Sequence, residues 1–76
     1  MNDQTQIVIN LVAEVLSVPP QSIPADASMQ TLPDWDSLAQ LNICLRMEEQ
    51  FGVEMDMDAI ASAVSIPALA DLVSRR

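Results

Sequence analysis

Four of the five prolines in this 76-residue chain fall between residues 19 and 33. Pro19, Pro20, Pro24 and Pro33 cannot donate a backbone hydrogen bond, and each restricts the residue before it. No regular helix or central strand can run through residues 18–36, so that stretch is a connection. A connection this long is unusual in a small domain and is often functional. Ile23, Met29 and Leu32 are spaced along it and can pin it to a core.

The segments on either side read as helices. In residues 3–16, Ile7, Val8, Leu11, Val12 and Val15 recur at three- and four-residue spacing, which makes one helix face. Asn2 or Asp3 can cap this helix, and Pro19-Pro20 ends it. Residues 37–51 carry the strongest helical pattern, and Gly52 follows where a left-handed residue closes a helix. Residues 56–63 read as a short third helix. Ser65 caps a fourth, with Pro67 in its first turn, Leu69, Leu72 and Val73 on one face, and Arg75 and Arg76 at the negative end of its dipole. The expected fold is all-α: a small four-helix bundle with a long loop between helices 1 and 2 and a short third helix, residues 1–76 forming one domain. Trp35 and Phe51 are the only aromatics, so the core must be aliphatic.

Charge narrows the function. Eleven acids face three arginines, with no lysine, giving a net charge of −8. Such a body repels nucleic acid and anionic membranes and favours partners with basic patches. No histidine is present, so the usual general base and the commonest metal ligand are missing. A single cysteine, Cys44, cannot form an internal disulfide. Residues 1–6 are polar and no apolar run approaches a membrane span. A monomer in the cytoplasm, without nucleic-acid or membrane partners, is the expectation.

The second helix carries two stripes. At about 100° per residue, Ile43, Met47 and Phe51 fall together with Cys44 beside them, and form the core face. Leu38, Leu41 and Leu45 fall on roughly the opposite side, flanked by Asn42, Glu48 and Glu49. Either the long loop folds over this second stripe, or the stripe is an exposed docking surface rimmed with acid.

That stripe begins next to Ser37, in the stretch PDWDSLAQL. Ser37 to Gln40 fits the S-x-x-Q capping box, and Asp34 or Asp36 can cap in its place, with Ser37 in the first turn. A hydroxyl at a helix N-terminus is also a favourable place to attach a phosphate. Without histidine or lysine nothing in the chain can activate Ser37 as a nucleophile.

D-S-L at the start of this helix resembles the acyl carrier protein family, in which the serine carries a 4′-phosphopantetheine arm. The likeness extends to M-E-E-Q-F-G-V at the end of the same helix, which is similar to the family's L-E-E-x-F-G-I/V. It extends also to SIPADASM in the loop and to SIPALADLV in the last helix, and so covers nearly the whole chain. The resemblance implies a freestanding carrier rather than an enzyme, with Ser37 loaded from coenzyme A by a phosphopantetheinyl transferase. Asp36 matches the aspartate that helps bind the transferase and its magnesium. Trp35, which can instead anchor the loop by packing, and Leu38, Leu41, Asn42, Leu45, Glu48 and Glu49 are the expected partner-facing residues, and acyl-transferring, ligase or synthase enzymes with basic patches the expected partners. No metal is expected to be held by the chain itself. Ala39 and Asn42 stand where fatty-acid-synthesis carriers often have acids, and Trp35 replaces a small residue. W-D-S-L versions resemble carriers of specialised polyketide, peptide or lipid-modification systems.

The alternative from a different class is an unmodified acidic helical adaptor, with Ser37 as a cap and the leucine stripe binding a partner helix. Glu54, Asp56 and Asp58 alternate like the start of a calcium loop, but Ala59 and Ser65 stand where that loop needs glycine and glutamate. Cys44 reads as a small buried hydrophobe, and Met47, Met55 and Met57 as core or rim filling.

Overall fold

Each helix begins and ends on identifiable local chemistry. The computed structural model describes residues 3–75, with α1 at Asp3–Leu16, a single 3-10 turn at Pro20–Ser22, α2 at Ser37–Phe51, α3 at Met57–Ser62 and α4 at Ile66–Arg75. Asn2, the side chain of Asp3 and Arg76, expected as caps and dipole partner, lie outside what is described. α1 stops before Pro19. Ser17 turns left-handed at φ 58°, the Ser17 N–H donates to Glu14 O (3.3 Å) and the Val18 N–H to Ala13 O (3.0 Å). This is a Schellman closure with serine in the place glycine usually takes. α2 ends on Gly52 at φ 65°, whose N–H donates to Glu48 O at 3.0 Å. Asp56 caps α3 by accepting from the Ala59 N–H (2.8 Å). Ser65 caps α4 through the Ala68 N–H (3.2 Å), and Arg75 pairs with Asp71 one turn back at 3.0 Å.

The core is aliphatic except for Trp35, its largest fully buried side chain. Val8, Leu11 and Val12 of α1, Ile43 and Met47 of α2, and Ile66, Leu69 and Val73 of α4 are buried together. α1 packs against both α4 and α2, and α3 packs on α2. Arg46 of α2 forms an ion pair with Glu14 of α1. Four residues from the expected core faces sit further out: Ile7 is 43% exposed, and Val15, Phe51 and Leu72 are half-buried against the core. Among the described residues no helix is long and apolar enough to cross a membrane.

The long loop is built in. Ile23, Ala27 and Trp35 are buried, and Met29 and Leu32 pack against the core. Ser28 makes an isolated antiparallel bridge with Ser65. Around it, the Met29 N–H donates to Val64 O (2.8 Å) and the Ile66 N–H to Ala27 O (2.9 Å). The loop is thereby tied to the entry of α4, on the side of the core where α2 begins.

Candidate functional site

Asp36 has extended backbone and caps α2, its Oδ1 accepting from the Ala39 N–H at 2.9 Å. The Gln40 N–H donates to the Asp36 carbonyl at 2.9 Å. Ser37 is therefore the first residue of the helix proper and not its cap. The capping-box reading fails for a second reason: the Gln40 side chain turns inward instead of reaching back. Of the capping alternatives, Asp36 is the one realised. The Ser37 side chain is exposed, and among the described residues its hydroxyl makes no hydrogen bond. The N–H groups of Ser37 and Leu38 are likewise without acceptors among those residues. They lie at the positive end of the helix dipole, where an anion is favoured. Asp34 and Asp36 are both exposed; Asp36 adjoins Ser37, while Asp34 borders a separate recess with Leu16, Val18 and Ile23. The donor set thus fits a phosphodiester on Ser37, and the Asp36 oxygen that is not engaged in the cap is left to face a cation or a basic protein.

A recess of about 330 Å³ opens beside Ser37, lined by Met29, Gln40, Leu41, Ile60, Ala61 and Val64. Apart from Ser37 and Gln40 its walls are apolar. It lies between α2 and α3, with Met29 of the loop closing one side.

The leucine stripe is uncovered. Leu38 is 68%, Leu41 49% and Leu45 56% exposed, and Asn42, Glu48 and Glu49 are exposed around them. The loop is occupied at the other side of α2 and does not fold over the stripe. Leu41 belongs both to the stripe and to the recess wall. Glu48 has a structural duty as well, its Oε2 accepting from the Met55 N–H at 3.2 Å.

Trp35 departs from its partner-facing role. It is 1% exposed, and its Nε1 donates to Gln40 Oε1 at 2.8 Å. A side chain so buried cannot form part of a partner-facing surface; it anchors the loop just before Asp36. Its acceptor, Gln40, is the residue that sequence reasoning missed. Gln40 lies on the same arc of α2 as Ile43 and Met47, and a polar residue on a core face needs buried partners. Beside a tryptophan with an N–H to satisfy, that position was the available signal. Gln40 Nε2 donates to Ile60 O and to Ala63 O, both at 2.9 Å.

Cys44 is buried one turn further along. Burial first, and then the Glu48 carboxylate, push its thiol above the ordinary value, so it stays neutral and unreactive at physiological pH. Among the described residues no group of three acidic, cysteine or histidine side chains is arranged to hold a metal. A family model described as "Phosphopantetheine attachment site" matches residues 6–73, a span that runs from the first turns of α1 almost to the end of α4.

Proposed function

This chain belongs to the family of phosphopantetheine attachment domains, and from that premise we propose that it is an acyl or aminoacyl carrier whose attachment residue is Ser37. Members of the family bear covalently attached 4′-phosphopantetheine. The observation that carries the assignment to Ser37 is the division of labour at the start of α2. Asp36 takes the cap, which leaves the serine hydroxyl exposed and without a hydrogen bond at the helix N-terminus.

Loading forms a bond between Ser37 Oγ and the phosphorus of coenzyme A's pantetheine phosphate, and the adenosine bisphosphate portion leaves. The hydroxyl proton goes to a base on the transferase, because this chain has no histidine or lysine to take it. Asp36, next to Ser37, would meet the transferase and its magnesium, with Asp34 adding negative charge to the approach. The N–H groups of Ser37 and Leu38 hold the diester charge at the helix end. When bound, the arm supplies a terminal thiol on which cargo is carried as a thioester. The recess gives an apolar cargo somewhere to leave water.

Partner enzymes read the other face of α2. Leu38, Leu41 and Leu45 supply apolar contact, while Asn42, Glu48 and Glu49 steer basic patches onto it. With a net charge of −8, approach to such patches is accelerated and approach to nucleic acid is opposed. The W-D-S-L sequence, with Ala39 and Asn42 where acids are common, supports a carrier of a specialised polyketide, peptide or lipid-modification system, and the lone cysteine supports a cytoplasmic setting.

Intact mass before and after incubation with coenzyme A, magnesium and a broad-specificity phosphopantetheinyl transferase tests this. The expected result is a gain of one phosphopantetheine, mapped to Ser37 and absent from Ser37→Ala. A folded protein that gains nothing would leave an unmodified adaptor that uses the leucine stripe alone.

A further inference from the structure

α3 is the least anchored of the helices. It spans six residues, none of them fully buried, with Ala59 and Ile60 half-buried. A helix this short is marginal by itself in water, so tertiary contacts must hold it. It packs on α2, and one side chain of α2 grips its C-terminal end twice. Gln40 Nε2 donates one hydrogen bond to Ile60 O and one to Ala63 O, each at 2.9 Å. The remaining end of that amide, Oε1, accepts from the Trp35 indole at 2.8 Å. Every strong hydrogen-bonding group of a residue only 4% exposed is thereby used.

The indole also decides which way the amide faces. A carboxamide presents an acceptor at one end and two donors at the other. With an N–H on one side and two carbonyls on the other, only one of its two flipped orientations satisfies all three partners. Ile60 and Ala61 of α3 line the recess beside Ser37, and so does Gln40 itself.

We propose that Gln40 is a positioning residue that holds α3 against the N-terminal half of α2, with Trp35 orienting its amide, and so sets the width of the recess. Trp35 immediately precedes Asp36 and Ser37 in the chain. A displacement of that loop by an enzyme engaging Ser37 is therefore transmitted to α3 through a single side chain. The value of this to a bound cargo rests on Ser37 being the attachment point; the positioning itself does not.

Amide hydrogen exchange on the unmodified chain tests it. Gln40→Met keeps length and apolar bulk but neither donates to the two carbonyls nor accepts from the indole. Amides of residues 59–64 should exchange at least about tenfold faster relative to those of α1 and α4, as the loss of hydrogen bonds to two inward-facing carbonyls requires. Acceleration spread evenly over all helices would make Gln40 a general stabiliser and overturn the proposal, as would unchanged exchange in residues 59–64. Trp35→Phe keeps an aromatic ring and removes the N–H. It should give a smaller acceleration in the same segment, and none on top of Gln40→Met. If Gln40→Met loses the fold, Trp35→Phe carries the test alone, and no selective change in residues 59–64 then overturns it. Failure of a transferase to load the wild-type chain would remove the carrier reading and leave the exchange result standing. Normal loading with unselective exchange would do the reverse.

Discussion

Ser37→Ala and Asp36→Ala, adjacent substitutions at the start of α2, should differ sharply in their effect on stability. Asp36 Oδ1 accepts the Ala39 N–H at 2.9 Å, and losing an N-cap of this kind costs roughly 0.5–2 kcal/mol. Removing one negative charge from a chain at −8 offsets part of that, so about 1 kcal/mol is expected. In a domain of this size that lowers Tm by roughly 4–8 °C. Ser37 is exposed and bonds to nothing among the described residues, so its replacement should stay within about 0.5 kcal/mol. Asp36→Asn, which keeps a capping oxygen, should behave like Ser37→Ala. Urea unfolding followed by the fluorescence of Trp35 suits the measurement, because that ring is 1% exposed when folded and is the only tryptophan. If Ser37→Ala loses as much stability as Asp36→Ala, the hydroxyl shares the cap. The argument that it is free for modification then fails.

Gly52→Ala should destabilise by about 1 kcal/mol, read as a lower unfolding midpoint; its φ is +65° and an added Cβ meets nothing within 4 Å, so backbone strain is the whole cost. Leu41→Arg and Glu49→Lys, on the exposed face of α2, should each weaken transferase binding at least several-fold in titration calorimetry with little change in Tm; unchanged affinity in both would remove α2 as the docking face. Cys44 gives a pH dependence of defined sign. Its folded pKa is raised from the ordinary 9.0, so the neutral thiol's contribution is fully present below pH 9.0. That contribution is lost as pH rises from there through the folded value, because the unfolded chain ionises first. With no tyrosine or lysine in the chain, Cys44→Ala should flatten this alkaline fall in the unfolding midpoint.

The helices were legible because their signals are local. Prolines at 19 and 20 forbid continuation, Gly52 marks a left-handed stop, and Ser65 with Pro67 marks a start. The exposed stripe was legible because three leucines on one arc of α2 oppose a second, larger apolar arc on the same helix. Ser17 was not legible, since serine carries no preference for the left-handed turn it makes. Gln40 and Trp35 were misread together. Gln40 satisfies a capping pattern by spacing alone, and only the packing of α3 against α2 turns its amide inward. The pairing of Ser28 with Ser65 depends on two segments meeting across 36 intervening positions, and no local pattern encodes that. That Ser37 opens α2 was readable from PDWDSLAQL, while the assignment of the cap to Asp36 required backbone geometry.

The bridge between Ser28 and Ser65 brings together the two ends of everything that lies between them. α1 and α4 pack on one another, and the intervening excursion leaves and returns at nearly one point. It holds α2, α3, the serine, the recess and the stripe. Such an excursion has the anatomy of a cassette. Its boundaries are already stitched by main-chain bonds that depend little on side-chain identity, so it can be cut out and exchanged between homologous frames provided the Ile43 and Met47 face still meets α1. Recombination at residues 28 and 65 would transplant site, recess and docking surface as one heritable unit, with the Arg46–Glu14 pair and the Trp35 packing as the side-chain contacts to be matched in the receiving frame.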